Sequence, residues 1–183
     1  PLVPAFMTLF ALAVAAMCAG IPVSDTSGAV RDALPLLGGQ LARFQAAYPV
    51  WSKFAAGFML LFTGMCAGRI TIRYNLYTVG TCLPIPLYAI VACGIATGGN
   101  YLAGFAASML LALATKNYCR AFCNGYGFDA IFRASLYLGL MPLVYAPALP
   151  LLLLLPLAVL LFRRTFREVV VATAGLLLPI FTA

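Results

Sequence analysis

Carboxylates are nearly missing from this chain and histidine is missing altogether: 183 residues carry four Asp and Glu side chains and no His. The absence of His excludes a His-containing catalytic triad and the zincin pattern, and no P-loop or dinucleotide fingerprint is present either. Charge of both signs is scarce, at 8% of residues, against about 25% in a soluble domain. That is too little polar side chain to cover a water-facing exterior. No charged residue sits deep inside an apolar run, so the usual mark of a proton or ion pathway is lacking. Cysteine is present, six in all, but in the wrong pattern for chemistry. Cys18, Cys66, Cys82 and Cys93 lie within apolar runs, where Cys behaves as a small hydrophobe. Cys119 and Cys123 lie one helical turn apart without a second close pair or a His, so neither a metal site nor a cofactor is expected.

What is present is apolar. Hydrophobic residues make up 64% of the chain and the mean hydropathy is +1.06, which points to a bilayer. Seven apolar segments can be read, at residues 2–21, 50–68, 76–97, 101–115, 130–145, 147–162 and from 169 onward. Several fall short of the roughly 20 residues that span a bilayer and read as packed hairpins. Pro84 and Pro86 break the third segment, and Pro142, Pro147, Pro150 and Pro156 imply kinks. Gly64–Gly68 and Gly94–Gly98 have the small-xxx-small spacing that lets helices approach closely. The expectation is an all-α polytopic transmembrane helix bundle of about seven spans with kinked hairpins, a single transmembrane domain over residues 1–183. The chain opens at Pro1 without an initiator Met and stops within an apolar run, so a fragment of a longer polytopic protein is expected.

The net charge of +7 does not suggest nucleic acid, because the basic residues form no continuous stripe. They mark sidedness instead. Three loops hold eight of the eleven: Arg69 and Arg73; Lys116, Arg120 and Arg133; Arg163, Arg164 and Arg167. Pairs of spans separate these loops, so all three share a side. The positive-inside rule makes that side cytoplasmic, with the amino terminus cytoplasmic as well. A multi-pass protein of the bacterial inner (cytoplasmic) membrane follows. Glu168 opens the seventh helix, where its charge suits the helix dipole.

Residues 22–49 then form the long outer loop. Within it Val30, Leu34, Leu37, Leu41 and Phe44 recur at helical spacing, while Arg31, Gln40, Arg43 and Gln45 fall mostly on the other face. This predicts an interfacial amphipathic helix over about 29–46, interrupted at Gly38-Gly39, with Tyr48 and Trp51 at headgroup depth. The same loop holds half the acids, Asp25 and Asp32, in "SDTSGAVRD". Membrane glycosyltransferases that use polyprenyl-phosphate sugars share this order of span, acidic outer loop, interfacial helix and span. In them a loop carboxylate is a general base or metal ligand. On that reading Asp25 and Asp32 are catalytic, and Arg31 and Arg43 hold a lipid phosphate. The simpler reading makes them a cap and ion-pair partners. The stretch 116–135 offers Asn117, Arg120, Asn124, Asp129 and Arg133 to an anionic headgroup or to a partner loop, or else is a helix–turn–helix elbow. Arg163, Arg164 and Arg167 read as a basic anchor that can also bind lipid phosphate.

Residues 132–179 show a small-residue helix, a Tyr145-x-Pro147-Ala148-Leu149 turn and a Leu-rich span. A basic run ending Arg167-Glu168 and a Gly-Leu-Leu-x-Pro helix follow. This pattern resembles a functionally uncharacterised family of polytopic inner-membrane proteins of Bacteroidetes-type bacteria. The resemblance implies fold and location and brings no catalytic residues. Two functions are therefore expected to compete. One is a non-catalytic integral membrane component of a cell-envelope complex that binds membrane lipids or other membrane subunits. The alternative is a glycosyltransferase-like enzyme acting on a lipid-linked sugar at the outer face.

Overall fold

The computed structural model describes residues 4, 6–11, 36–74, 84–96, 101–123, 127–153 and 166–182, and these are helical apart from short connections. Residues 6–11 form a helical segment. After it come α1 (Leu36–Ala47), α2 (Pro49–Arg73), α3 (Pro84–Ala96), α4 (Tyr101–Cys123) and α5 (Phe128–Val144), a 3₁₀ helix (Ala146–Leu153) and α6 (Phe166–Thr182). Among the described residues one helix, α2, is long and apolar enough to cross a membrane.

Proline sets several boundaries. Pro49 opens α2 at a position where its missing N–H is no loss, and it disfavours helical backbone at Tyr48, whose non-helical conformation parts α1 from α2. Pro84 and Pro86 likewise fall in the first turn of α3 and start that helix rather than break it. Pro147 and Pro150 cannot donate the bonds that an α-helix needs. The 146–153 stretch is accordingly 3₁₀, with Ala148 N–H donating to Tyr145 O at 3.0 Å. The Leu-rich sixth segment thus begins as a 3₁₀ helix, and residues 154–165, Pro156 included, lie outside the described residues.

Two expectations need correction. The helix over 36–47 runs uninterrupted through Gly38-Gly39, and its inward face is Gly38, Leu41 and Gln45, with Leu37 and Phe44 of the apolar stripe exposed. The polarity of Gln45 argues for the outer face, yet it is 6% exposed. Its Oε1 accepts a hydrogen bond from Leu102 N–H at 3.4 Å. The first N–H groups of a helix have no intrahelical acceptor, so Gln45 caps α4 from another element. Residues 29–35 of the expected interfacial helix lie outside the described residues. The second correction concerns α4, which continues through the polar "KNYCRAFC" to Cys123 instead of ending near 115. Nothing in those eight residues breaks a helix, and Asn117 Nδ2 donates to Leu113 O at 2.9 Å in the turn above.

Three apolar clusters share α4. Leu9, Ala56, Leu60, Ile85, Ala89 and Phe105 belong to one; Ala107, Ala121, Ile131, Leu138, Met141 and Ala172 belong to the second; Ala103, Ala106 and Val144 form the third. Ala supplies 12 of the 24 buried apolar residues described, so the helices lie close. At Gly64 and Gly68 the space is taken by the side chains of Leu9 and Ile85. The closest backbone approach among the described glycines is elsewhere, between α5 and α6. A Cβ on Gly139 would sit 2.5 Å from Leu176 O, and one on Gly175 would sit 2.8 Å from Phe132 O. Large apolar side chains point outward, with Trp51, Phe54, Phe58 and Phe181 each 60% exposed or more.

Candidate functional site

Helices α2 and α4 run in the same direction. Near their amino-terminal ends the Ser52 and Tyr101 hydroxyls share a buried hydrogen bond of 2.6 Å. Toward their carboxyl-terminal ends Arg69, Arg73 and Lys116 line one cavity. The basic ends of two helices separated by a long stretch of chain are thereby brought side by side.

The cavity measures about 170 Å³ and is lined by Phe62, Cys66, Arg69, Ile70, Arg73 and Tyr74 from the end of α2, with Lys116 from α4. The α2 residues recur at intervals of three and four, so helical geometry alone places them on one side. Arg73 occupies the last turn of α2, where a cation offsets the partial negative charge of the terminal carbonyls. Tyr74 closes the helix by donating its N–H to Ile70 O at 3.1 Å. Arg69, Arg73 and Lys116 are all exposed. Among the described residues Asp129 and Arg133 form an ion pair at 3.0 Å, and no carboxylate there engages the three cavity cations.

Chemically the cavity combines three basic side chains with apolar neighbours. Two guanidinium forks and one ammonium can donate to several oxygens of a single anion. Among the described residues its lining includes no carboxylate, and the chain has no His.

The sequence treats Arg69, Arg73 and Lys116 only as markers of sidedness, and the cavity is the feature it misses. The available signal is the register Phe62, Cys66, Arg69, Arg73 on one helical face. Of the residues singled out from sequence, Asp25, Arg31, Asp32, Arg163 and Arg164 lie outside the described residues, as does Asn124. Arg43 is exposed on α1, Arg120 on α4 and Arg167 on α6. Arg133 donates its Nε–H to Asp129 Oδ1 across one turn of α5. Within 116–135, α4 runs to Cys123 and α5 starts at Phe128 with Asp129 in its first turn, and residues 124–126 lie outside the described residues. Glu168 is in the first turn of α6 and is buried. No protein-family model, no curated protein and no solved structure matches this chain.

Proposed function

We propose that this chain is a non-catalytic, multi-pass integral membrane component of a cell-envelope complex in the bacterial inner membrane, where it holds lipid or protein partners. The observation that carries this reading is the inverted distribution of side-chain size. Ala supplies 12 of the 24 buried apolar residues described, while Phe, Trp, Leu and Ile occupy the exposed faces of α2, α3 and α6. A water-soluble fold does the opposite, because apolar burial drives it. In a bilayer, close packing of small residues holds helices together and large apolar residues meet lipid.

Two further observations support it. Exposed hydroxyls are satisfied within their own helices: Thr115 donates to Leu111 O at 2.8 Å and Thr182 to Leu178 O at 3.0 Å. Hydrocarbon requires this, since it offers no water to polar groups. The shared direction of α2 and α4, with Arg69, Arg73 and Lys116 at one end, agrees with a cytoplasmic basic face and a cytoplasmic amino terminus. The glycosyltransferase-like alternative rests on Asp25 and Asp32, which lie outside the described residues, and nothing in the described geometry favours it.

The test is sided labelling in intact cells. In a chain freed of native cysteines, an impermeant maleimide should modify a Cys placed at Thr26 and spare one at Thr165. The chain should also stay with the membrane through alkaline carbonate. The opposite labelling pattern, or release by carbonate, refutes the proposal.

A further inference from the structure

We propose that the cavity formed by Arg69, Arg73 and Lys116 binds the phosphate of an anionic phospholipid, with one acyl chain lying along the exposed aromatic face of α2. This deepens the membrane reading above and rests on it. Three observations converge on an amphipathic ligand. First, three cations line one cavity, and among the described residues no carboxylate neutralises them. Second, the remaining helix residues of the lining are apolar, namely Phe62, Cys66 and Ile70. Third, Phe62 belongs to two features at once. It lines the cavity, and it ends an exposed stripe of Trp51, Phe54, Phe58 and Phe62 on the same side of α2.

The geometry matches a lipid. From the Arg69 level of the cavity to Phe58 is eleven residues, about 16 Å along the axis at 1.5 Å per residue, a stretch that carries the exposed rings of Phe62 and Phe58. That length suits most of an acyl chain within one leaflet, since the whole hydrocarbon core is about 30 Å thick. The cavity of about 170 Å³ is many times the ~15 Å³ that one ordered water needs. A free phosphate ion would use the cations and leave the continuity with the stripe unexplained. A net anionic headgroup is favoured over a zwitterionic one, because choline or ethanolamine would bring its own positive charge beside the two arginines.

The test uses the full chain solubilised in a neutral detergent, with a fluorescent phosphatidylglycerol as the probe. Unlabelled phosphatidylglycerol should displace the probe at least about tenfold more effectively than phosphatidylcholine, and inorganic phosphate should not displace it. Equal competition by the two lipids overturns the proposal, and so does displacement by inorganic phosphate. The triple variant Arg69→Gln, Arg73→Gln, Lys116→Gln should weaken probe binding by at least about tenfold. Cys66→Trp keeps all three charges but fills the cavity, and it should weaken binding as well. If Cys66→Trp binds normally while the triple variant does not, the attraction is diffuse and the site is refuted.

A readout on the unaltered chain guards against misfolded variants. Cys66 is a free, half-buried thiol, so phosphatidylglycerol should slow its maleimide labelling, followed peptide by peptide, and phosphatidylcholine should not. Absence of that protection overturns the site, as does a co-purifying polypeptide that shields Cys66 and is not displaced by phosphatidylglycerol. A chain that resists carbonate extraction yet shows no lipid preference loses the site and keeps the membrane assignment. A chain released by carbonate loses both.

Discussion

Alanine at Gly139 and alanine at Gly39 should have opposite effects, although both glycines lie inside helices. A Cβ at Gly139 would stand 2.5 Å from Leu176 O, a backbone atom of α6. Carbon–oxygen contacts are comfortable at about 3.3 Å, so α5 and α6 must part by about 0.8 Å. The carbonyl belongs to a helix and cannot swing away as a side-chain tip could. Overpacking of this kind costs about 1–3 kcal/mol, and removing a mid-helix glycine returns up to about 1 kcal/mol. The expected net loss for Gly139→Ala is about 1–2 kcal/mol, and it should be larger for Gly139→Val. At Gly39 an added Cβ meets nothing within 4 Å. Gly39→Ala should therefore stabilise by about 0.5–1 kcal/mol. The assay is equilibrium unfolding of the solubilised chain by SDS, followed by far-UV circular dichroism with wild type in parallel. Effects of the same sign at the two positions, or a Gly139→Ala variant as stable as wild type, would refute the close α5–α6 crossing.

Three further outcomes can be read in the same assay. Tyr101→Phe removes the hydroxyl that pairs with Ser52 at 2.6 Å, but Ser52 keeps its bond to Pro49 O at 2.8 Å; a loss of about 1 kcal/mol is expected, and no loss would discount the contact. Leu41→Asp should destabilise far more than Leu37→Asp, because Leu41 packs against two apolar clusters while Leu37 is 38% exposed; equal effects would remove Leu41 from the packed face of α1. Asp129→Asn breaks an ion pair whose side chains are 61% and 70% exposed and should change stability by less than about 0.5 kcal/mol; a loss above about 1 kcal/mol would give that pair a structural role.

Much of the fold could be read from residues taken in order, because the forces involved are local. Pro49 beside Tyr48 marks the start of α2, and the apolar run after it predicts a long helix without reference to anything distant. Gly127 and Asp129 likewise announce the start of α5. The same local reading misjudged Gln45. Its polarity argues for an outer face, and only the arrival of Leu102 N–H, 57 residues later in the chain, supplies the acceptor's partner and allows burial. Gly139 and Gly175 carry no spacing signal within one helix, since each is matched to a carbonyl of the other helix. The cavity is the clearest case. Sequence alone determined that Arg69 and Arg73 share a helical face beyond Phe62 and Cys66, as a consequence of 3.6 residues per turn. It could not determine that Lys116 stands beside them. That follows from α2 and α4 lying alongside each other in the same direction, and the packing of side chains far apart in sequence sets that alignment.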